Sequence, residues 1–576
     1  MESCLLNEAE SIATRKKSLT QSIVLCLCSL IFQNRVLGAD PVEPDRLRQD
    51  IVVVVPPSWK TSLTRWEDFR RKQGYRIEFV APERTAEETR SAIEKLAKEK
   101  GSHVDFLFLA ADAPDFLQAQ KDRQSTDRVP AFYVESKVVI HFGSSPTIVT
   151  DDPYSDWNST GARDTVVGRV PATTPQALAD YCDRVIRYET GRSADRALKQ
   201  IDIVAGVGGF GSVTDTVVES MSRQLLSEDV PSEYQLTMTY ASPSSVYYPS
   251  PLMFNKTIID QLSRGGLFWI YLGHGFVDTL DVIPFEDRLL PIFTKNHLDQ
   301  LNGTGLPPIA IFLACYLGAF DASDGCLAEK MIMQPGGPIA AIAGSRVTMP
   351  YGMAVLGSGM LHANFQDQLL TVGEILNRAK QASLLESTSA PSTDQASISV
   401  GKSSMSRREL LDVLALSLSP ADHDIASERL EHCYLFNLLG DPLLRISRPS
   451  VVEFNTPKSI ESGEQISISG KSPMAGFCEI EIAYPRERIP DKAKELRIKL
   501  QSKAGNQELQ HRLFESANDT IIARKAFSIS EGAFQTEIAT QDLPTGLVDL
   551  RVTVYAAERW CTKSSSIQIK KPRKQQ

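Results

Sequence analysis

Leu267-Phe268-Trp269-Ile270-Tyr271-Leu272 runs straight into Gly273-His274-Gly275, and Ile309-Ala310-Ile311-Phe312-Leu313-Ala314 runs straight into Cys315. Short continuous apolar runs rich in aromatic and β-branched residues, bounded by Gly or Pro, read as strands buried on both faces of a parallel sheet. In open α/β sheets, ligands and chemistry gather beyond the carboxyl ends of such strands. Two of these strands side by side would set the His274 imidazole next to the Cys315 sulfur. A free thiol has a pKa near ~8.5 and is mostly protonated at neutral pH, so a neighbouring imidazole is needed to take or balance its proton. Gly275 has no side chain, and its N–H, with that of Cys315, would form a two-donor oxyanion hole. One such donor is worth roughly 3–4 kcal/mol in the transition state. Taken singly, His274 reads equally as part of a Gly-rich turn and Cys315 as a buried core thiol. The joint pattern is what favours a cysteine-nucleophile site.

The same residues carry a family resemblance. Gly273-His274-Gly275 and Ala314-Cys315 resemble the His-Gly and Ala-Cys signatures of the caspase-like clan of cysteine peptidases. Cys315-Tyr316-Leu317-Gly318-Ala319-Phe320, followed by Cys326-Leu327-Ala328-Glu329, resembles the gingipain family around its nucleophile. Upstream, Val167-Gly168-Arg169-Val170-Pro171-Ala172 is similar to the family's Val-Gly-Arg segment, and Asn437 to Pro442 to its closing Gly-Asp-Pro segment. Order and spacing agree over about residues 50 to 447.

The resemblance implies Cys315 as nucleophile, His274 as base, and Asp164 as the acidic residue that contacts the histidine and fixes its tautomer, where gingipains have the longer Glu. Without the resemblance, Asp164 is a solvated turn residue before the strand Thr165-Val166-Val167. Gingipains bind calcium in regions like Asp151-Asp152-Pro153-Tyr154-Ser155-Asp156, which makes Asp151 and Asp152 candidate ligands for this oxygen-seeking cation. A hydrogen-bonded Asx turn is the other reading of that stretch. The reaction itself calls for no cofactor.

Composition fits a large folded enzyme. The chain has 576 residues and a formal net charge of −9, with no basic stripe and no basic tail beyond Lys570-Lys571-Pro572-Arg573-Lys574. No nucleic-acid partner is expected; the partners would be protein or peptide substrates. Arg15-Lys16-Lys17 and the apolar stretch from Ile23 to Phe32 lead to small residues at Gly38-Ala39. That pattern reads as a signal peptide over residues 1–39, too short for a ~20-residue span, so the product is expected to be secreted or held in the cell envelope with no membrane span after cleavage. Only about a dozen residues then precede the first strand, where gingipains carry a long propeptide. Any latency would come from elsewhere, the Ser387 to Ser406 stretch being one candidate.

Beyond the signal, Cys182, Cys315, Cys326, Cys433, Cys478 and Cys561 remain, which is no disulfide framework. Cys478 and Cys561, in one small module of an exported chain, would pair if their Cα atoms lay within ~7 Å.

Strands at Ile51 to Val55, Tyr75 to Val80 and Phe106 to Leu109 alternate with helices at Ser62 to Gln73 and Ala86 to Lys100. The expected architecture is α/β: two adjacent parallel-sheet subdomains of caspase-like type, residues 50–195 and 196–448, the second catalytic. After Arg448 the period changes to strict alternation, as in Gln465 to Ser469, Cys478 to Ile482 and Val548 to Val554. Residues 449–576 therefore read as an antiparallel, Ig-like β-sandwich.

The favoured function is a secreted cysteine endopeptidase acting through an acyl-enzyme. A non-catalytic surface or adhesion protein that keeps the fold is the alternative. A third reading rests on Gly206-Val207-Gly208-Gly209-Phe210-Gly211, which matches the dinucleotide fingerprint between a strand and an expected helix at Val213 to Leu226. No acidic residue suited to a ribose ends the following strand at Tyr234 to Tyr240.

Overall fold

Ten strands lie side by side in the order β2-β1-β3-β4-β10-β9-β8-β7-β5-β6, where β1 is Asp50–Val54, β2 Arg76–Val80, β3 Phe106–Leu109, β4 Val166–Arg169, β5 Gln200–Ala205, β6 Gln235–Tyr240, β7 Phe268–Leu272, β8 Ile309–Leu313, β9 Ala340–Gly344 and β10 Phe436–Leu439. The computed structural model describes residues 49–571 except 102, 117–126, 157–162, 192–195, 209–228, 386–406, 419–422, 503–504, 542 and 558. The expected signal segment, the end of the Gly-rich turn with its following helix, and the stretch from Ser387 to Ser406 lie outside the described residues.

Two sets of five strands, each parallel within itself, make up the sheet. They meet at one antiparallel junction, where β10 pairs with β9 (Ala341 opposite Leu439) and parallel to β4 (Leu439 opposite Arg169). The two expected subdomains thus share one continuous sheet. Val, Ile, Leu and Phe dominate its strands because both faces are covered: every residue of β1, β3, β8, β9 and β10 is buried. Thr85, Thr174 and Thr371 cap the helices Ala86–Lys100, Pro175–Thr190 and Val372–Leu384 through their side-chain oxygens, which satisfies amides that those helix starts would otherwise leave open.

The two matched motifs away from the nucleophile interlock in this core. The Gly440 N–H donates to the Arg169 carbonyl at 2.6 Å. The Arg169 guanidinium forks onto Asp151 at 2.7 and 2.8 Å and reaches the carbonyls of Ala111 and Val129. Asp441 accepts from Trp66 Nε1 at 2.6 Å, from Arg70 at 2.7 Å and from the Leu443 amide at 2.8 Å, and Glu189 takes the other side of Arg70 at 2.9 Å. Buried charges of this kind persist only when paired, and each guanidinium here meets a carboxylate, although Arg70 Nε finds no partner among the described residues. Their work is to hold the fold.

The C-terminal module has a six-stranded and a three-stranded sheet around its own apolar core, with Ile466, Ile480, Val552 and Ile567 fully buried. Two of its pairings, Ser450–Val451 and Ser459–Glu461 against Trp560–Lys570, are parallel, so it is not purely antiparallel. Between Gly476–Ala483 and Ile521–Ile529 the chain inserts two helices, Asp491–Gln501 and Gln507–Asn518, which the alternation pattern did not foresee. Asn518 turns its side-chain amide onto β6, accepting from the Met238 N–H at 2.8 Å and donating to the Met238 carbonyl at 2.9 Å. An outer strand is thereby paired instead of left open.

Cys478 lies opposite Val554, which lies opposite Cys561. The two sulfurs face the same core from strands two places apart, about 10 Å at the usual strand spacing, beyond disulfide reach. Both are buried free thiols, so the condition for a bridge is not met. Mass spectrometry of non-reduced peptides should recover both unpaired, and a thiol reagent should label them only in denaturant.

Candidate active site

Three strands end level with one another. Ala205 of β5 is opposite Leu272 of β7, and Leu272 is opposite Leu313 of β8. Two residues beyond each end stand Val207, His274 and Cys315. The strand ends touch: a Cβ on Gly275 would lie 2.5 Å from the Cys315 carbonyl oxygen and 2.8 Å from Leu317 Cγ, so only Gly fits there.

Past Cys315 the chain reverses sharply. Tyr316 takes a left-handed conformation (φ 57°), uncommon for a residue with a Cβ, and its N–H donates to the Arg346 carbonyl. The turn leaves Cys315 partly exposed, with its sulfur 3.3 Å from the Thr348 N–H, which donates to it, and 3.6 Å from Thr348 Oγ1. Neither the Gly275 nor the Cys315 N–H has an acceptor among the described residues.

Asp281 ends the loop that begins at His274, and its carboxylate interacts electrostatically with that histidine. The loop between them closes on itself, Gly275 bridging to Leu280 and the Phe276 N–H donating to Thr279. Asp281 is buried, and its two oxygens accept from the Val282 N–H at 2.8 Å and the Val207 N–H at 3.0 Å. Burial pushes its pKa up, while the two amides and the nearby His274 charge pull it down. The Tyr271 hydroxyl donates to the His274 carbonyl at 2.8 Å and lies 3.3 Å from the Asp281 N–H. Gly206 packs against the same group: a Cβ there would sit 2.7 Å from the Tyr271 hydroxyl and 3.2 Å from Asp281 Oδ2. The start of the Gly-rich turn is therefore shaped around a carboxylate of this chain.

Asp164 is elsewhere. It is exposed, and it precedes β4, four places from β7 in the sheet, which is about 19 Å at the usual strand spacing. That is too far for a contact with His274, which corrects the role implied by the resemblance. Asp151 and Asp152, the candidate calcium ligands, are paired within the chain. Asp151 is held by Arg169, and Asp152 by Arg163 at 2.9 Å and Lys380 at 2.8 Å. Their charge is met by cations of the chain, so the donor set does not fit a calcium ion that needs six to eight oxygens. No group of three or more His, Cys, Asp or Glu side chains suited to a metal ion occurs among the described residues.

The segment after the nucleophile carries an acid whose pKa is raised, Glu329. Glu329 is buried, accepts from the Cys326 N–H at 2.7 Å, and faces Asp112. Burial first, and then the Asp112 charge, push its pKa up to about 8 from 4.5. Between those values the folded state holds a proton that the unfolded chain has released, so this carboxyl lowers stability as pH rises through the window. Glu329→Gln should flatten the fall in melting temperature between pH 5 and 8, measured by calorimetry; an unchanged slope would show that the carboxyl titrates normally.

The sequence matches peptidase family C25 over residues 45–447. Among solved structures, the crystal structure of the Arg-specific cysteine proteinase gingipain R is similar with a TM-score of 0.50 at 15% identity, covering 92% of this chain and 100% of that one. A complex of Porphyromonas gingivalis pro- and mature domains gives 0.49 at 14% identity, covering 90% and 100%. The first likeness shows the fold, in agreement with the α/β sheet and β-rich module described above. No curated protein matches the sequence.

Proposed function

The chain belongs to peptidase family C25 and is a cysteine-type peptidase, and from that premise we propose that it hydrolyses peptide bonds within protein or peptide chains through Cys315 and His274. The observation that carries this reading is the level ending of β7 and β8, with the amides of Gly275 and Cys315 left without acceptors beside it. His274 takes the thiol proton as sulfur attacks the scissile carbonyl carbon. The oxyanion is received by the two open N–H groups, which act only on charge that develops in the transition state. His274 gives its proton to the departing amine, leaving a thioester. It then draws a proton from water, whose oxygen displaces the sulfur and releases the acid.

The adhesion-only alternative explains neither the open amides nor the turn that presents the sulfur. The nucleotide alternative loses support because the Val207 N–H, which would face a phosphate, is spent on Asp281. The residue 1–39 pattern supports export of the enzyme. A thiol-directed peptidyl inhibitor should form one adduct, at Cys315, and stop hydrolysis in step with its incorporation. Hydrolysis that continues after Cys315 is fully modified would overturn the assignment.

A further inference from the structure

We propose that Asp281, cradled by the start of the Gly-rich turn at Gly206-Val207, is the positioning carboxylate of the peptidase site, holding His274 in the orientation that serves Cys315. The proposal rests on the reading of Cys315 and His274 given above.

Four observations converge. The loop from His274 to Asp281 doubles back on itself through the Gly275–Leu280 bridge, so a residue seven places downstream returns to the backbone beside His274, close enough for the two charges to interact. Asp281 is buried, yet among the described residues its oxygens accept only from two amides, those of Val207 and Val282, and no cationic side chain is hydrogen-bonded to it. The Tyr271 hydroxyl ties the two ends of the loop together, bonding the His274 carbonyl and touching the Asp281 N–H. Gly206 is the residue that lets these groups approach, since any side chain would displace the Tyr271 hydroxyl or the carboxylate.

A buried carboxylate held by amides keeps its place without a salt bridge, and beside an imidazole it fixes the ring's tautomer and orientation. A ring held in that orientation presents its other nitrogen to the thiol whose proton it takes. Among the described residues, the titratable groups facing this pair are Tyr271, whose pKa is raised by burial, and Cys315 itself. This also gives the Gly-x-Gly match a purpose unrelated to nucleotides: its first amide turn is a socket for an acid.

The test uses the full chain. Asp281→Asn should lower kcat by roughly two orders of magnitude with KM changed less than about threefold. Alkylation of Cys315 by iodoacetamide should slow at least ~10-fold at pH 6 yet stay within about twofold at pH 9.5, where hydroxide can replace the imidazole as base. Asp281→Glu should recover part of both. A structural role alone would shift the melting temperature and leave the shape of the alkylation curve untouched, and that result overturns the proposal. So does a curve moved by Asp164→Asn and not by Asp281→Asn. If Asp281→Asn does not fold, Asp281→Ser, which keeps an oxygen for one amide, is read in the same way; loss of the fold in both assigns the carboxylate to the scaffold and refutes a role at His274. Cys315→Ala separates the two readings. If that variant still hydrolyses peptide, the catalytic assignment has failed; if it is inactive while Asp281→Asn matches the wild type, only this inference has.

Discussion

Replacing Cys315 by Ala should leave a folded protein with no measurable peptide hydrolysis. The sulfur is partly exposed and touches the rest of the chain mainly through Thr348, so its removal costs little packing. Catalysis has no substitute for it, because the other thiols among the described residues are all buried. His274→Ala should cost nearly as much, and the double variant scarcely more than either, since residues that act as one unit lose their whole effect at the first deletion. Turnover of a mixed peptide library, set beside melting temperatures within a degree or two of wild type, checks the set. Additive losses would mean that the two side chains do not share a step.

Asp441→Ala should give the largest loss of stability. The carboxylate is fully buried and accepts from Trp66, Arg70 and Leu443, while Arg70, also fully buried, keeps only Glu189 and Gln73 when Asp441 is gone. Leaving a buried guanidinium half-paired costs about 3–5 kcal/mol. The Trp66 indole loses its acceptor as well, and an orphaned buried donor costs about 1–3 kcal/mol where no water replaces it. Asp441→Asn should lose less, because one carbonyl oxygen still serves Trp66. The urea midpoint at constant slope measures both, and a loss under 1 kcal/mol for the Ala variant would show that water or a neighbour re-pairs Arg70.

These two residues show what the sequence could and could not reveal. Cys315 and His274 were legible because each ends an apolar run, and the hydrophobic pattern fixes where a buried strand stops. Their level placement also follows, since parallel neighbours of equal length end together. Asp281 was not legible. It is one of several acids in a polar loop, and only the chain reversal at Gly275 and Leu280 brings it back to His274. Asp164 offered a matching position in a linear pattern, and the sheet order then put three strands between β4 and β7.

Asp151 and Asp152 looked like cation ligands because sequence cannot say that Arg169, Arg163 and Lys380 converge on them from other elements. The helices at Asp491–Gln501 and Gln507–Asn518 were readable in principle. Ala493, Leu496 and Leu500 recur at helical spacing amid charge, and the alternation of the flanking strands masked that signal.

The junction of β10 with β9 and β4 has a consequence for the order in which the molecule can be assembled. β10 is the last of the ten strands in the chain and occupies the middle of the sheet. Until residue 439 has emerged from the ribosome, β4 and β9 each present an unpaired row of amides and carbonyls, and the two halves have nothing to join them. A nascent chain of this enzyme therefore passes through a long interval with two sticky borders exposed, the condition in which chaperone binding or cross-pairing between chains is most favoured. Closure is a single late event, when Phe436–Leu439 slides between both halves and Asp441, just behind it, locks onto Trp66 and Arg70. The half that carries His274 and Cys315 can gather its strands earlier, but it gains its neighbour only at that step.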